Sequence, residues 1–567
     1  MHSERSKSLG RLLAACAAVA LIGLGASARA QTVTTPAGVT YRGASANGVT
    51  SFKGIRYAAA PTGERRWAPP YAPEPGGSEL DARAFGSACP QIESPFGPAS
   101  VNEDCLFLNV FVPGNVSSRA RLPVLVFFHG GAFISGSSES YDPTSLVLQN
   151  ETIVVTVNYR LGTLGYMAAP ALSASDRRGV SGNYGLLDQQ FALGWVKQNI
   201  AAFGGDPREV TISGESAGGF SVCALLVAPS ANGLFRRALS ESGPCSFPLP
   251  TREQAEAKGQ EFVQAVGCAS DSAAEGAACL RQLSVEAVLA NQTPTSELLG
   301  SPTGLTEFFP NVDGQLLPQQ PMSAIALGAF NRVPIVLGTN RNEGTLFVAL
   351  AFDLLNGQPL SAEQYPQQLE RTAQAVLAQA SSQFGSESNP SGSSTQLLAA
   401  QLEHEYPLRD YDTPGEALAA VITDGTFACP AYISQQLLSL FTPTYAYEFA
   451  DRSAPMPFLP PVSFPYGAAH TTELPYLFDN LAQLRSDQSR LARSMRGYWT
   501  KFAATGSPID LGQPLWPLFT IATPLTQSFA GSLPRTDATF ALDHHCLFWS
   551  SLLVQGSVLS VLRQAGG

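Results

Sequence analysis

The stretch EVTISGESAGGFSVCALLV, residues 209–227, decides the fold. Residues 209–213 read as a short buried strand, and residues 219–227 as the start of an apolar helix. Between them, Gly214-Glu215-Ser216-Ala217-Gly218 sets a serine where strand turns sharply into helix. A serine hydroxyl is a poor nucleophile in water. On such a turn it projects into a cleft, and the helix N-terminus beneath it favours negative charge. Small residues flank it because the turn is strained and the helix packs close to the strand. Outward from this point the same rhythm recurs. Residues 124–128 (VLVFF) and 153–157 (IVVTV) are continuous apolar runs, as central strands covered on both faces require. Residues 237–242, 333–337 and 444–449 read as further strands, and residues 32–57 as a β-rich entry. Segments of helical composition separate them, which is the βαβ pattern of an α/β fold. Residues 381–395 (SSQFGSESNPSGSST) are polar and read as a surface loop.

The 567-residue chain is 44% apolar and 14% charged, which fits a compact core rather than a disordered chain. Its formal charge of −11, with no basic stripe, argues against a nucleic-acid partner. Residues 1–30 read as a secretory signal peptide: Arg5, Lys7 and Arg11, an apolar stretch over 12–24, then Ala28-Arg29-Ala30 as a cleavage site. Leu13-Ala14-Ala15-Cys16 resembles a lipoprotein box, but the apolar run continues past Cys16, so soluble export is expected. No later stretch reads as a membrane span. Nine cysteines, eight after removal of the leader, point to disulfides in an exported protein. No H-E-x-x-H or spaced Cys/His set of metal ligands is present, and His544-His545 lacks suitable companions.

The run FGGDPREVTISGESAGG at 203–219 resembles the signature of the type-B carboxylesterase and cholinesterase family, and EDCLFLN at 103–109 resembles its second signature. Similar segments are FKGIRY at 52–57, HGGAF at 129–133, NYRLG at 158–162, GNYGLLDQ at 182–189, GTNRNEG at 338–344, residues 467–478 and CLFW at 546–549. The resemblance implies an α/β-hydrolase: a mostly parallel central sheet flanked by helices, with long loops over the active site. It also implies one catalytic domain, residues 31–567, where length alone suggests several.

A serine hydrolase of this fold needs a nucleophile, an acid and a base in the chain order Ser, Asp/Glu, His. Five histidines follow the leader. His129 opens the HGGAF segment, His404 lies in a charged stretch, and His544 and His545 flank Cys546. His470 matches the family's histidine and is expected to be the base. Glu343, past a strand end and before Gly344, matches its acid; Asp313 is the alternative, although Asp-Gly is turn chemistry. The resemblance assigns the oxyanion hole to the backbone N–H groups of Gly131, Ala132 and Ala217. Many relatives carry glycine where this chain has Ala132, and alanine restricts positive-φ geometry. Glu215 matches an acidic residue of relatives, either as a buried brace or as a group tuning the field at His470, and Glu473 reads as a similar brace below His470. Arg160 with Asp188 and Arg66 with Glu103 resemble structural ion pairs.

The resemblance also implies the disulfides Cys89–Cys105, Cys268–Cys279 and Cys429–Cys546. Cys223 and Cys245 are left to pair or to remain as buried thiols. In cholinesterases the first disulfide loop carries a tryptophan that holds a quaternary ammonium. Here that loop holds Phe96 as its only aromatic residue, so choline esters are not expected substrates. Phe308 and Phe309 fall where relatives line the acyl pocket. The expectation is therefore a secreted or periplasmic carboxylesterase acting on small, apolar or aromatic esters, needing no cofactor or metal. The rivals are a lipase, an amidase or a polyester hydrolase on the same scaffold, and an adhesion protein that lacks catalysis.

Overall fold

A computed structural model describes residues 30–552 except 75–76, 115, 293–308 and 384–391. Of the expected leader over 1–30, residues 1–29 lie outside the described residues, as does Phe308. The chain forms strands β1 (Ala30–Thr34), β2 (Thr40–Ala46), β3 (Val49–Arg56), β4 (Glu79–Asp81), β5 (Phe107–Pro113), β6 (Leu122–Phe128) and β7 (Ile153–Val157). After these come β8 (Gly205–Glu215), β9 (Arg237–Glu241), β10 (Ile335–Asn340), β11 (Thr444–Phe449), β12 (Thr526–Phe529) and β13 (Arg535–Asp537). They lie in one sheet in the order β1-β2-β3-β5-β7-β6-β8-β9-β10-β11-β12-β13, with β4 beside β2. From β7 through β12 every neighbouring pair is parallel. The antiparallel pairings lie towards the two edges.

The continuous apolar strands are buried on both faces. Successive side chains of β6 alternate: Val124, Val126 and Phe128 pack with Leu193, Val196 and Val222, whereas Leu125 and Phe127 pack with Met495, Trp499 and Phe502. Helices Tyr184–Asn199 and Ala217–Val227 thus cover one face, and Ser486–Thr505 the other. A third apolar cluster, built from residues 346–428 with Phe464 and Trp549, sits over the carboxyl end of β10.

Some boundaries differ from the sequence reading. β10 starts at Ile335, because Pro334 has no N–H to donate and Val333 is already turned onto the Asn331 carbonyl. β8 extends back to Gly205, across a register shift against β6. The polar stretch 381–395 is helical at both ends: Tyr365–Gln383 runs into it and Gly392–Glu405 begins within it. The helical run Pro414–Ser439 is long and apolar enough to cross a membrane, contrary to the sequence reading, but 67% of its apolar window is buried inside the protein, as in a core helix. Disulfides join Cys89–Cys105, Cys268–Cys279, Cys429–Cys546 and also Cys223–Cys245, whose Cα atoms stand 5.0 Å apart.

Candidate active site

The chain leaves β6 for β7 on one side and reaches β8 on the other, so a crevice opens beyond the carboxyl ends of β6 and β8. Ser216 stands at the end of β8, with φ +55°, as the cap of helix Ala217–Val227. Its N–H donates to the Glu241 carbonyl at 2.9 Å. The glycines around it are demanded by packing. A Cβ on Gly218 would lie 1.9 Å from the Phe128 carbonyl oxygen, and one on Gly214 would lie 2.5 Å from the Gly218 backbone.

Glu343 follows β10 and is fully buried. Its Oε1 accepts hydrogen bonds from Thr339 Oγ1 at 2.6 Å and from the Asn340 N–H at 2.7 Å. Its Oε2 accepts from His470 Nδ1 at 2.6 Å. The two loops are clasped together, the Asn342 N–H donating to the Ala468 carbonyl at 2.9 Å. The His470 ring packs between Phe347 and Phe427, each centroid 5.1 Å away. Nε2 is left free. It lies 3.3 Å from Glu215 Oε1, an oxygen without a hydrogen-bond partner among the described residues. Ser216 Oγ likewise makes no hydrogen bond there, and Ser216 and His470 line the same narrow cavity, of about 30 Å³. Phe96, Ile134, Leu346, Phe347 and Phe458 give that cavity its apolar walls.

Carboxylates gather beneath it. Burial, with the negative charges of Glu343 and Glu241, pushes Glu215 well above the usual carboxylate range. Burial also raises Glu241, to about 8. Glu473 is raised chiefly by burial, and accepts a hydrogen bond from Asn340 Nδ2. It therefore braces the site through Asn340, which also donates to the Ala469 carbonyl at 2.7 Å.

Past β6 the backbone takes positive φ at three successive residues: Gly131 (+99°), Ala132 (+54°) and Phe133 (+62°). Ala132 thus holds a left-handed conformation that glycine would adopt more easily. The N–H groups of Gly131, Ala132 and Ala217 have no acceptor among the described residues. His129 is buried, stacks on Tyr159 at 4.5 Å and donates Nδ1–H to the Gly130 carbonyl at 2.8 Å; burial lowers its pKa to about 4. It is a neutral brace for this loop.

Other candidates fall elsewhere. Asp313 Oδ1 accepts from the N–H groups of Gln315, Leu316 and Leu317, which makes it a turn cap. Phe309 is buried against Phe133, Phe220 and Phe247 and does not line the cavity at Ser216 among the described residues. Arg160 Nη2 stands 2.8 Å from Asp188 Oδ1, and Arg66 Nε donates to Glu103 Oε1 at 2.6 Å; both pairs are buried away from Ser216. Sequence reasoning missed Phe427 and Phe458. Each is an isolated aromatic residue in a segment without a motif, and only the folded chain brings it to the site.

The carboxylesterase family profile matches residues 29–549, nearly the whole described chain. The chain belongs to the carboxylesterase family. Para-nitrobenzyl esterase of Bacillus subtilis (strain 168) is 35% identical over 498 residues, covering 84% of this chain and 90% of the relative. Human cocaine esterase is 32% identical over 501 residues, covering 85% and 83%. Among solved structures, a PNB esterase at 34% identity superposes with a TM-score of 0.72 over 90% of this chain and 97% of that one. A thermophilic PNB esterase gives the same TM-score at 33% identity over 90% and 98%. This carboxylesterase is accordingly a carboxylic-ester hydrolase with the α/β-hydrolase fold.

Proposed function

We propose that the carboxylesterase cleaves apolar or aromatic carboxylic esters by acyl transfer through Ser216, with His470 as base and Glu343 as the acid that orients it. The reading rests above all on the 2.6 Å hydrogen bond from His470 Nδ1 to Glu343 Oε2, behind a cavity that Ser216 also lines. Because Nδ1 donates to the carboxylate, Nε2 is the nitrogen free to accept a proton. His470 takes the Ser216 proton as Oγ attacks the ester carbonyl. The oxyanion is received by the N–H groups of Gly131, Ala132 and Ala217. A donor of this kind is worth about 3 kcal/mol in the transition state. His470 then protonates the leaving alcohol. Water, activated by the same nitrogen, hydrolyses the acyl-enzyme and releases the acid.

The cavity walls support the substrate class. They are mostly aliphatic and aromatic, with Phe96 rather than tryptophan from the first disulfide loop. Export of residues 31–567 after removal of residues 1–30 is part of the same proposal, and the four disulfides support an oxidising destination. The test is a fluorophosphonate label mapped by peptide sequencing, run beside a panel of para-nitrobenzyl, p-nitrophenyl, choline and anilide substrates and emulsified triglyceride. Labelling of Ser216 with preference for soluble aromatic esters is expected. Labelling elsewhere, or activity retained in Ser216→Ala, removes the serine mechanism; faster turnover of choline esters or lipid removes the substrate class.

A further inference from the structure

His544 is nearly fully buried and carries a carboxylate against each ring nitrogen. Nδ1 is 2.6 Å from Asp424 Oδ1 and Nε2 is 2.8 Å from Glu448 Oε1. Two acceptors leave both nitrogens as donors, so the ring is an imidazolium. The cation is fixed from every side. Tyr406 Oη donates to the second Asp424 oxygen at 2.9 Å, and Arg341 bridges Glu448 at 3.2 Å and Asp543 at 2.9 Å. The Phe540 ring lies 4.7 Å from it, and neighbouring His545 faces Glu405 at 3.2 Å.

Asp424 belongs to one wide turn, Thr423–Ala428, where the helical ladder opens to π-helical spacing. Such turns recur at functional sites. Three residues of this turn reach in three directions. Thr423 Oγ1 accepts from the N–H of Gly344, next to Glu343, at 2.9 Å. Asp424 holds His544. Phe427 packs on the His470 ring. Arg341, bound into the same charges, lies two residues before Glu343. A polar cavity of about 470 Å³ adjoins Asn342, Thr423, Asp424 and His544, so this side of the Glu343 loop is secured by discrete bonds more than by close packing.

We propose that His544 is a positioning residue for ester hydrolysis: its cation ties the C-terminal segment to the Thr423–Ala428 turn, and through Thr423 and Phe427 that turn sets Glu343 and His470 against Ser216. The proposal rests on the acid–base roles given to Glu343 and His470 above. Asp424 and Glu448 outweigh the burial that disfavours the charge and raise His544 to about 10, so the clamp persists through neutral pH.

The test uses full-length His544→Gln, which removes the cation and keeps polar ends. Expected is a 10- to 100-fold loss of kcat on p-nitrophenyl butyrate with KM within twofold, as misplacement of a catalytic pair produces. The ratio of parent to variant kcat should stay level from pH 7 to 9 and shrink above pH 10, where the parent also loses the cation. A ratio below three throughout, with only the melting temperature lowered, overturns the proposal. If His544→Gln does not fold, Phe427→Leu replaces it. It should lose kcat about tenfold at unchanged KM, with a ratio that stays level through pH 10 because His544 is intact; unchanged kcat overturns the proposal. Activity surviving Glu343→Gln would instead sink the acid–base reading itself.

Discussion

Replacing Glu343 by glutamine keeps the side-chain volume and removes one charge. The structure fixes how the amide must sit. Oε1 of Glu343 accepts from the Asn340 N–H, a group that can only donate. The amide oxygen of glutamine must therefore stay there, and its NH2 turns to His470 Nδ1. That NH2 also donates, so Nδ1 gives up its hydrogen and Nε2 carries it instead. The nitrogen that should accept the Ser216 proton is then already protonated. The opposite amide orientation restores the tautomer but sets two donors against each other, at about 1–3 kcal/mol. The productive arrangement is thus populated at roughly one part in 5 to one part in 160. The imidazolium formed during catalysis also loses a charge-assisted hydrogen bond, about 1.5–3 kcal/mol more. Together these lower kcat by about 10³-fold. The assay is kcat on p-nitrophenyl butyrate at pH 8, with circular dichroism and thermal melting to verify the fold. A folded Glu343→Gln enzyme within tenfold of the parent would refute the reasoning.

Gly218→Ala should prevent folding or cost several kcal/mol, because its methyl meets the Phe128 carbonyl at 1.9 Å; soluble yield and urea unfolding report it. Ala132→Gly should gain about 1 kcal/mol in urea unfolding by relieving the +54° φ, and a loss of stability would contradict that account of the loop. Phe458→Ala opens the wall where Phe458 meets Phe96 at 5.4 Å, so kcat/KM should rise for bulky relative to small esters; an unchanged ratio removes Phe458 from specificity. His544 has its pKa raised in the folded state from the ordinary 6.5 to about 10. The stability it confers is therefore fully present below pH 6.5 and is lost as pH rises through 10. Melting temperatures of the parent and His544→Gln should converge across that window, and a constant gap would show that the charge is not what stabilises.

The elements that sequence made legible are those whose signal is local. The runs at 124–128 and 153–157 carry their burial in every residue, and the pentapeptide around Ser216 carries its turn in its glycines. Glu343 and His470 could be singled out because each sits in a short motif after a strand, and the folded chain brings their side chains to 2.6 Å. The His544 clamp was not: its carboxylates lie 120 and 96 residues away, and its position beside Cys546 suggests only a disulfide neighbourhood. The π-helical turn at Thr423–Ala428 likewise has no residue signature, and its contacts with Gly344, His470 and His544 come from distant segments of the chain. Ala132 shows the opposite failure. Its residue type disfavours the backbone angle it adopts, and the surrounding loop imposes that angle.

The cysteine bridges differ in their access to solvent. Both sulfur-bearing residues of the Cys89–Cys105, Cys223–Cys245 and Cys429–Cys546 pairs are buried, whereas Cys279 of the remaining pair is partly exposed. Thiol–disulfide exchange requires a thiolate to reach a sulfur atom. A mild reductant should therefore open Cys268–Cys279 first and reach the other three only when the chain itself breathes. The order in which free thiols emerge becomes a clock for local opening, with the Cys223–Cys245 bond timing the helix that Ser216 caps.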